Sequence, residues 1–217
     1  MTHRRPPFAA LAHERLAGIG HNKGPSLEPG RAWRTHCWRE AKRTMVPRAP
    51  IEVVRRRVAR ARALGLEYPA YASILLGTGR DVRAFLFTAE AVRLAVRRAL
   101  AAEGGGETWS MEEARAAKLR AIEACERFLV AEAPIPAEHL AEVLAQRHRL
   151  RLAGIGAPPA EPAPPPAARA AIRALLDPHR LPGDAVVLVG TQPEERDWAD
   201  AAQLAKFLAA DLYFAAR

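Results

Sequence analysis

The sequence predicts an α/β protein in which a helix-rich N-terminal half precedes a small Rossmann-like parallel sheet unit flanked by helices. Residues 185–190 form a continuous apolar run ending in glycine, which is typical of a strand buried on both faces. Helical patterns on both sides of this run favour a parallel sheet, because parallel strands are joined through helices. Arginine-rich segments with apolar residues three or four positions apart fill much of 31–64 and predict helices there.

Three helices are predicted in the N-terminal half. They cover residues 31–45, 51–64 and 69–76. In the second helix the apolar positions form one stripe and arginines occupy the other faces. Pro50 precedes this helix and Gly65 follows it, as is typical of helix starts and ends. The second and third helices also fit a helix-turn-helix.

The middle of the chain is predicted to hold one strand and three helices. The strand covers 82–87, and the helices cover 89–102, 110–132 and 136–152. Thr88 and Ser110 are typical helix-capping residues, and Pro136 is a typical first residue of a helix. Residues 154–166 contain six prolines and are predicted to form a linker or surface loop.

The last fifty residues predict alternating helices and strands. A helix over 167–176 precedes the apolar strand 185–190, a helix from Pro193 to about residue 206 follows it, and 212–214 is a candidate edge strand. The predicted organisation is a flexible arm (1–30), a basic, mainly helical region (31–152), a Pro-rich linker or loop (153–166) and an α/β unit (167–217).

Charge is distributed unevenly along the chain. Residues 1–100 carry 20 Lys and Arg against 7 Asp and Glu, whereas residues 101–217 carry 13 against 17. A basic half of this size favours an anionic partner such as nucleic acid or an acidic protein. A GC-rich genome also enriches arginine and alanine, so part of this excess is open to a purely compositional explanation.

Several function classes are disfavoured by what the sequence lacks. Two cysteines cannot form a disulfide framework or a four-cysteine zinc site, which favours a reducing cytoplasm. No apolar run approaches the length of a transmembrane helix, so no membrane association is expected. We predict no catalytic residue, no metal site and no cofactor. The adjacent His36 and Cys37 are not followed by a further ligand at helical spacing.

The leading hypothesis is a non-enzymatic cytoplasmic protein that binds nucleic acid through its basic helices. The predicted phosphate-binding residues are Arg55, Arg56, Arg60, Arg62, Arg80 and Arg83. The last two follow the short helix 69–76, where they would also reach phosphates in a helix-turn-helix arrangement.

A glycine-rich motif in the N-terminal arm is a candidate anion-binding or partner-binding segment. Its residues are Gly18, Gly20, His21, Asn22 and Lys23. Closely spaced glycines allow backbone N–H groups to converge on an anion, but the motif has neither the spacing nor the preceding strand of a P-loop, and a flexible turn is the alternative. The hexapeptide Arg-Leu-Ala-Gly-Ile-Gly occurs at 15–20 and again at 151–156. A protein-interaction module that docks through this arm is the competing function.

The GIGHN-x-GP motif, the Arg/Trp-rich helix after it, the Leu64–Tyr68 segment and the Thr78–Val82 segment resemble a family of uncharacterised bacterial proteins. The resemblance covers most of residues 15–100. It implies a bacterial, cytoplasmic protein and transfers no activity.

Residues 82–90 and 168–214 also resemble parts of a haloacid dehalogenase-type Rossmannoid fold. That resemblance implies an aspartate nucleophile and a second acid just after the first strand, and a further acid after a later strand for Mg²⁺. The corresponding positions are assigned here to Phe85, Phe87 and Thr191. The resemblance therefore implies a catalytically degenerate relative, unless Asp197 or Asp200 has another role; a solvated helix face is the simpler explanation for those two residues.

Overall fold

The structure, a computed structural model, describes residue 37 and residues 49–98, 107–132, 136–160 and 162–215. The chain divides into two units between Pro50 and Ile51. In the first unit only Cys37, Ala49 and Pro50 are described, so the predicted helix 31–45 and the GIGHN motif lie outside the described residues. The second unit contains all of the strands given below.

In chain order the helices are α1 (Ile51–Ala63), α2 (Tyr68–Thr78), α3 (Glu113–Arg120), α4 (Ala137–His148), α5 (Pro165–Leu176), α6 (Pro193–Ala201) and α7 (Ala210–Ala215). The strands are β1 (Ala84–Thr88), β2 (Ala95–Arg98), β3 (Glu107–Ser110), β4 (Glu126–Val130), β5 (Gly154–Gly156), β6 (Val186–Gly190) and β7 (Lys206–Ala209).

Five strands form one parallel sheet in the order β5-β4-β1-β6-β7. Strand β1 lies in the centre, where Leu86 is opposite Phe128 of β4 and Leu188 of β6. Strands β2 and β3 form a separate antiparallel pair. The predicted α/β class, with helices flanking a parallel sheet, is confirmed.

The sheet is buried on both faces, which explains why its central strands are continuous apolar runs. Because side chains alternate along a strand, Phe85 and Phe87 of β1 enter one core and Leu86 enters the other. Helices α1–α4 and α7 contribute to the first core, and α5 and α6 contribute to the second. All five residues of β1 and all five of β6 are buried.

The predicted helix 89–102 is wrong in all of its described residues, and the predicted helix 110–132 is wrong in part. Residues 89–93 form turns rather than a helix and lead into β2, and Arg93 has a positive φ of 52° that a continuing helix does not allow. The predicted helix 110–132 ends at Arg120, because the following residues form β4 and pair with β1. Pairing with the sheet outweighs helix propensity there.

The C-terminal half also differs from expectation. The predicted linker 154–166 contains strand β5 and the first residues of α5. Helix α6 ends at Ala201 rather than near 206, and β7 follows it at the sheet edge. Residues 212–214, expected as an edge strand, belong to helix α7. Strands from both sides of residues 153–166 therefore share one sheet.

Within the described part of the chain, no helix is both long enough and apolar enough to cross a membrane.

Candidate functional site

A cavity of about 530 Å³ lies at the carboxyl edge of the parallel sheet. It is lined by the ends of β1, β4 and β6, by the segment after β5 and by helix α6. The lining residues are Thr88, Ala89, Glu90, Val130, Ala131, Glu132, Ala157, Pro158, Pro159, Ala160, Gln192, Glu195 and Trp198. Open parallel sheets bind ligands at this edge, where the chain leaves neighbouring strands in opposite directions. Here that point lies between β1 and β6, because β4 lies on one side of β1 and β6 on the other.

Thr88 is the last residue of β1 and is only 3% exposed. Its hydroxyl oxygen accepts a hydrogen bond from the Ala91 N–H at 3.2 Å, and its carbonyl oxygen accepts one from the Val92 N–H. These two bonds turn the chain directly after the strand. Thr88 thereby presents a fixed hydroxyl to the cavity.

Glu90 connects the ends of β1 and β6. Its Oε2 atom accepts hydrogen bonds from the Thr191 hydroxyl at 3.0 Å and from the Gln192 side-chain amide at 2.7 Å. These contacts join residues that lie about a hundred positions apart in sequence, so only the sheet topology brings them together.

Glu195 supports the same edge from the first turn of α6. It is 4% exposed, and its Oε2 atom accepts hydrogen bonds from the backbone N–H groups of Thr191 at 2.5 Å and Gln192 at 2.9 Å. A carboxylate is favourable there because the first N–H groups of a helix lack intrahelical partners and carry partial positive charge.

Gly190 leaves room for this carboxylate. A Cβ atom at that position would lie against Glu195 Oε2 and 2.8 Å from the Phe207 ring. The glycine that ends β6 therefore allows the Glu195 side chain to fold back onto the strand end.

Trp198 separates this cavity from a second one. The second cavity measures about 480 Å³ and is lined by Pro162, Ala163, Pro165, Ala168, Glu194, Asp197 and Trp198. Trp198 lines both cavities and is 7% exposed.

The lining of the first cavity is acidic. Glu90, Glu132 and Glu195 contribute carboxylates, and no Lys, Arg or His occurs among the lining residues. In the described ranges, no three His, Cys, Asp or Glu side chains are placed to hold a metal ion. The described lining residues therefore give the cavity negative charge but no group of three ligands that could hold a metal ion.

The structure corrects which residues occupy the positions after the first strand. Phe85 and Phe87 are fully buried within β1, so the positions at its carboxyl end are Thr88 and Glu90. Thr191 follows β6, as expected. Glu90 and Glu195 were missed because each also fits a helix-capping role, and the available signal was an acid two residues after a strand. Asp197 lines the second cavity, and Asp200 is exposed on α6.

The predicted phosphate-binding arginines do not form one free cluster. Arg60 donates hydrogen bonds to Asp81 Oδ2 at 2.9 Å and to the carbonyl oxygen of Val82 at 2.8 Å, so it stabilises the approach to β1. Arg80 forms an ion pair with Asp184 at 2.8 Å. Both guanidinium groups therefore already have partners within the chain, although Arg80 is exposed.

The outward face of α1 carries the other predicted arginines of this helix. Arg55, Arg56 and Arg62 are exposed, and Arg55 pairs with Glu52 at 2.7 Å. Arg83, just before β1, is exposed as well. Of the predicted apolar stripe Ile51, Val54, Val58 and Ala61, Ala61 is buried and the two valines are partly buried, but Ile51 is 62% exposed, so the stripe is wrong at its first residue.

The two cysteines offer no evident nucleophile. Cys37 is exposed, and Cys125 is partly buried just before β4. Burial raises the pKa of the Cys125 thiol to about 12, so it carries almost no thiolate at neutral pH.

No family model, curated protein or solved structure matches the chain. The carboxyl-edge cavity and the exposed face of α1 are therefore the two candidate sites of function.

Proposed function

We propose that this protein binds a small molecule in the carboxyl-edge cavity and lacks the phosphotransfer chemistry of haloacid dehalogenase-type enzymes. The observation that carries the proposal is the position of the cavity beside the central strand, where β1 and β6 diverge. Three buried or hydrogen-bonded polar side chains, Thr88, Glu90 and Glu195, are fixed there before any ligand arrives.

Thr88 is the reason for proposing binding rather than phosphotransfer. The resemblance to haloacid dehalogenase-type proteins requires a carboxylate nucleophile just after the first strand, and this chain has a hydroxyl that already accepts a hydrogen bond from Ala91. The acidic lining also disfavours a phosphate ester, because like charges repel in a partly enclosed site. We expect no phosphatase activity with Mg²⁺ from the purified protein, and turnover of a phosphomonoester would contradict this part of the proposal.

Fluorescence of Trp198 tests the binding proposal directly. Replacing Trp33, Trp38 and Trp109 by Phe leaves Trp198 as the one indole, and it lines the cavity. A panel of small amines, polyols, carboxylates and phosphate esters is titrated into this variant. At least one class is expected to change the emission saturably.

A cavity-filling substitution provides the control for that titration. Ala157→Trp is made in the wild-type chain, and binding is followed by calorimetry instead. Ala157 is exposed and lines the cavity, so the larger ring blocks it without disturbing the core, and affinity should fall at least about tenfold. Ala59→Trp, on the exposed face of α1, should leave affinity unchanged. Equal affinity in both variants would overturn the assignment of the cavity.

A second candidate function is nucleic-acid binding by the exposed face of α1. The observation that favours it is that Arg55, Arg56 and Arg62 lie on one solvent-facing side of the helix. Arginine contacts to phosphates predict affinity that falls steeply with salt and depends little on sequence.

Fluorescence anisotropy with labelled DNA tests this second candidate. Arg56→Ala/Arg62→Ala should lower the slope of log affinity against log salt by about 2, since each lost phosphate contact removes about one unit. Arg151→Ala/Arg169→Ala removes the same charge from exposed positions elsewhere and should leave the slope unchanged. An equal decrease in both double variants would mean that only net charge matters. Binding to polyglutamate but not to DNA would favour an acidic protein partner.

We also propose a location and a family membership for this chain. The two free cysteines support a reducing, cytoplasmic location. The GIGHN motif supports membership of the bacterial family that it resembles and docking of the arm on a partner.

A further inference from the structure

We infer that the edge of β4 that faces away from β1 is a docking site for residues 15–20 of a second copy of this chain, which replace β5 there. Residues 15–20 and residues 151–156 have the same sequence, Arg-Leu-Ala-Gly-Ile-Gly. The second hexapeptide contains β5, so its contacts show how this sequence fits beside β4. The inference names a partner for the docking proposed for the N-terminal arm, and it is independent of the ligand proposed for the cavity.

The backbone of residues 151–156 extends the sheet by parallel pairing with β4. The three residues of β5 lie opposite the last three residues of β4. Hydrogen bonds continue this pairing at both ends: the Ala153 N–H donates to the carbonyl oxygen of Arg127 at 2.7 Å, and the carbonyl oxygen of Gly156 accepts the Ala131 N–H at 3.0 Å. Backbone bonds of this kind give affinity to an added strand, whereas the side-chain positions give selectivity.

The two glycines of β5 are selected by their close neighbours. A Cβ atom at Gly154 would lie 3.1 Å from Leu175 of α5 and 3.2 Å from Phe128 of β4. A Cβ atom at Gly156 would lie 3.2 Å from Leu175. These distances are shorter than ordinary van der Waals contacts, so both positions favour glycine over any residue with a side chain.

Two apolar side chains of the same hexapeptide are selected by the core. Leu152 and Ile155 are partly buried and pack against the first core. Four of the six positions are therefore constrained by packing, in the order Leu, Gly, Ile, Gly. Residues 15–20 have these four residue types in the same order, so they can make the same contacts beside β4.

Strand β5 has the properties of a replaceable strand. It has three residues, all partly buried, and it lies at the end of the sheet. Helix α4 leads to it through Arg149, whose φ of 51° is unfavourable for a residue with a side chain. A hexapeptide from a second copy is not joined to this helix and does not require that conformation. Covalent attachment favours β5 when the protein is dilute, so the exchange should depend on protein concentration.

A second copy can supply the hexapeptide because each chain carries both the site and the segment. Thirty residues, 21–50, separate the N-terminal hexapeptide from α1. A chain of that length spans up to roughly 100 Å when extended, which is enough to reach a neighbouring molecule. Reciprocal exchange closes into a symmetric dimer in which each copy completes the sheet of the other.

Weakening β5 without altering residues 15–20 tests the inference in the full chain. Gly154→Val places a branched side chain against Leu175 and Phe128, so β5 should leave the edge and the N-terminal hexapeptide of a second copy should replace it. Sedimentation equilibrium should then show a mass that rises from one chain towards two between about 1 and 100 µM protein. The midpoint of thermal unfolding should rise with protein concentration over the same range.

Gly18→Val is the matched control, because Gly18 holds the position in residues 15–20 that Gly154 holds in residues 151–156. Alone, it leaves β5 intact and should have the mass and unfolding midpoint of the wild-type chain at about 1 µM, where exchange is least favoured. Combined with Gly154→Val, it should abolish the association, because neither hexapeptide then fits the edge.

A labelled peptide of residues 12–23 provides a second measurement that does not require Gly154→Val to fold. Gly154→Ala is the milder change, and it should bind this peptide at least about tenfold more tightly than the wild-type chain does, because a weaker β5 competes less. The same peptide carrying Gly18→Val should not bind. Fluorescence anisotropy measures both affinities.

Three results would overturn the inference. The first is equal mass and equal unfolding midpoint for Gly154→Val and for Gly18→Val/Gly154→Val at every concentration. The second is a difference in midpoint that does not change with concentration and brings no gain in mass, because a second copy would then not be involved. The third is peptide binding that Gly18→Val leaves unchanged, since the edge would then not recognise this hexapeptide. The proposed cavity function is tested separately, by the small-molecule titrations.

Discussion

At the residue scale, the site depends on small structural residues as much as on its acids. Gly190 is one of them, because the Glu195 carboxylate and the Phe207 ring occupy the space that a side chain would need. Gly190→Ala is expected to displace Glu195 and to lower the free energy of unfolding by about 1–3 kcal/mol. Chemical denaturation measures this change.

Gly77→Ala is the matched control for that substitution. Gly77 lies within α2, and a Cβ atom there would meet nothing within 4 Å. Since alanine favours a helix over glycine, this variant should be neutral or more stable by up to about 1 kcal/mol. A larger loss at Gly77 than at Gly190 would contradict the packing described at the end of β6.

Substituting two arginines of α1 should have different effects on stability. Arg60→Ala removes the donor to Asp81 and Val82 and should cost about 2 kcal/mol of unfolding free energy, because a partly buried carbonyl loses its partner. Arg56→Ala should change stability by less than about 0.5 kcal/mol, since Arg56 is exposed. Thermal denaturation of the two variants compares them, and equal losses would mean that Arg60 is not structural.

At the scale of elements, a histidine and a glutamate connect helix α4 to helix α3. His148 Nε2 accepts the Met111 N–H at 3.1 Å, which places the ring proton on Nδ1, 3.2 Å from Glu113 Oε2. Hydrogen bonds from Arg120 and then His148 hold the pKa of Glu113 below its ordinary value of 4.5. The ionised carboxylate is therefore the form that stabilises this pair of helices.

The lowered pKa of Glu113 determines how the free energy of unfolding changes with pH. The stabilisation is present above the ordinary pKa of the glutamate and is lost as pH falls through the lowered value. Glu113→Gln should therefore flatten the decrease in stability below about pH 4.5. Denaturation at a series of pH values measures this, and an unchanged profile would show that the contact does not contribute in solution.

The ends of the helices were predicted least accurately, because the backbone conformations that follow them have no signal in the sequence. Left-handed backbone conformations occur at Ala124, Arg149 and Gln203, which are not the glycine or asparagine that marks such positions in a sequence. The helices before them therefore appeared longer than they are. Strand β4 was hidden because its first residues, Glu126 and Arg127, are charged and its pairing partner is far away in sequence.

The buried strands and their class were predictable because a strand covered on both faces needs a continuous apolar run, as in β1 and β6. The site was not. Glu90 and Glu195 each have a local explanation as helix-capping residues, and their meeting around Thr191 depends on the order of strands in the sheet.

At the scale of the whole molecule, the central position of β1 predicts how the chain unfolds. Strand β6 pairs directly with β1, so a chain that ends at residue 166 loses a neighbour of its central strand. That fragment should show no cooperative thermal transition by circular dichroism. Residues 49–217 contain both cores and should retain one transition. A folded 1–166 fragment would contradict a single shared sheet.

The central claim is that the carboxyl edge of this sheet binds a small ligand. Titration of ¹⁵N-labelled protein with each member of the panel of small amines, polyols, carboxylates and phosphate esters, followed by ¹H–¹⁵N correlation spectra, tests it most directly. We predict saturable shifts at the amides of Ala89, Glu90, Ala131, Thr191 and Gln192, which surround the cavity. Shifts confined to α1, or no shifts with any of these compounds at millimolar concentration, would contradict the account.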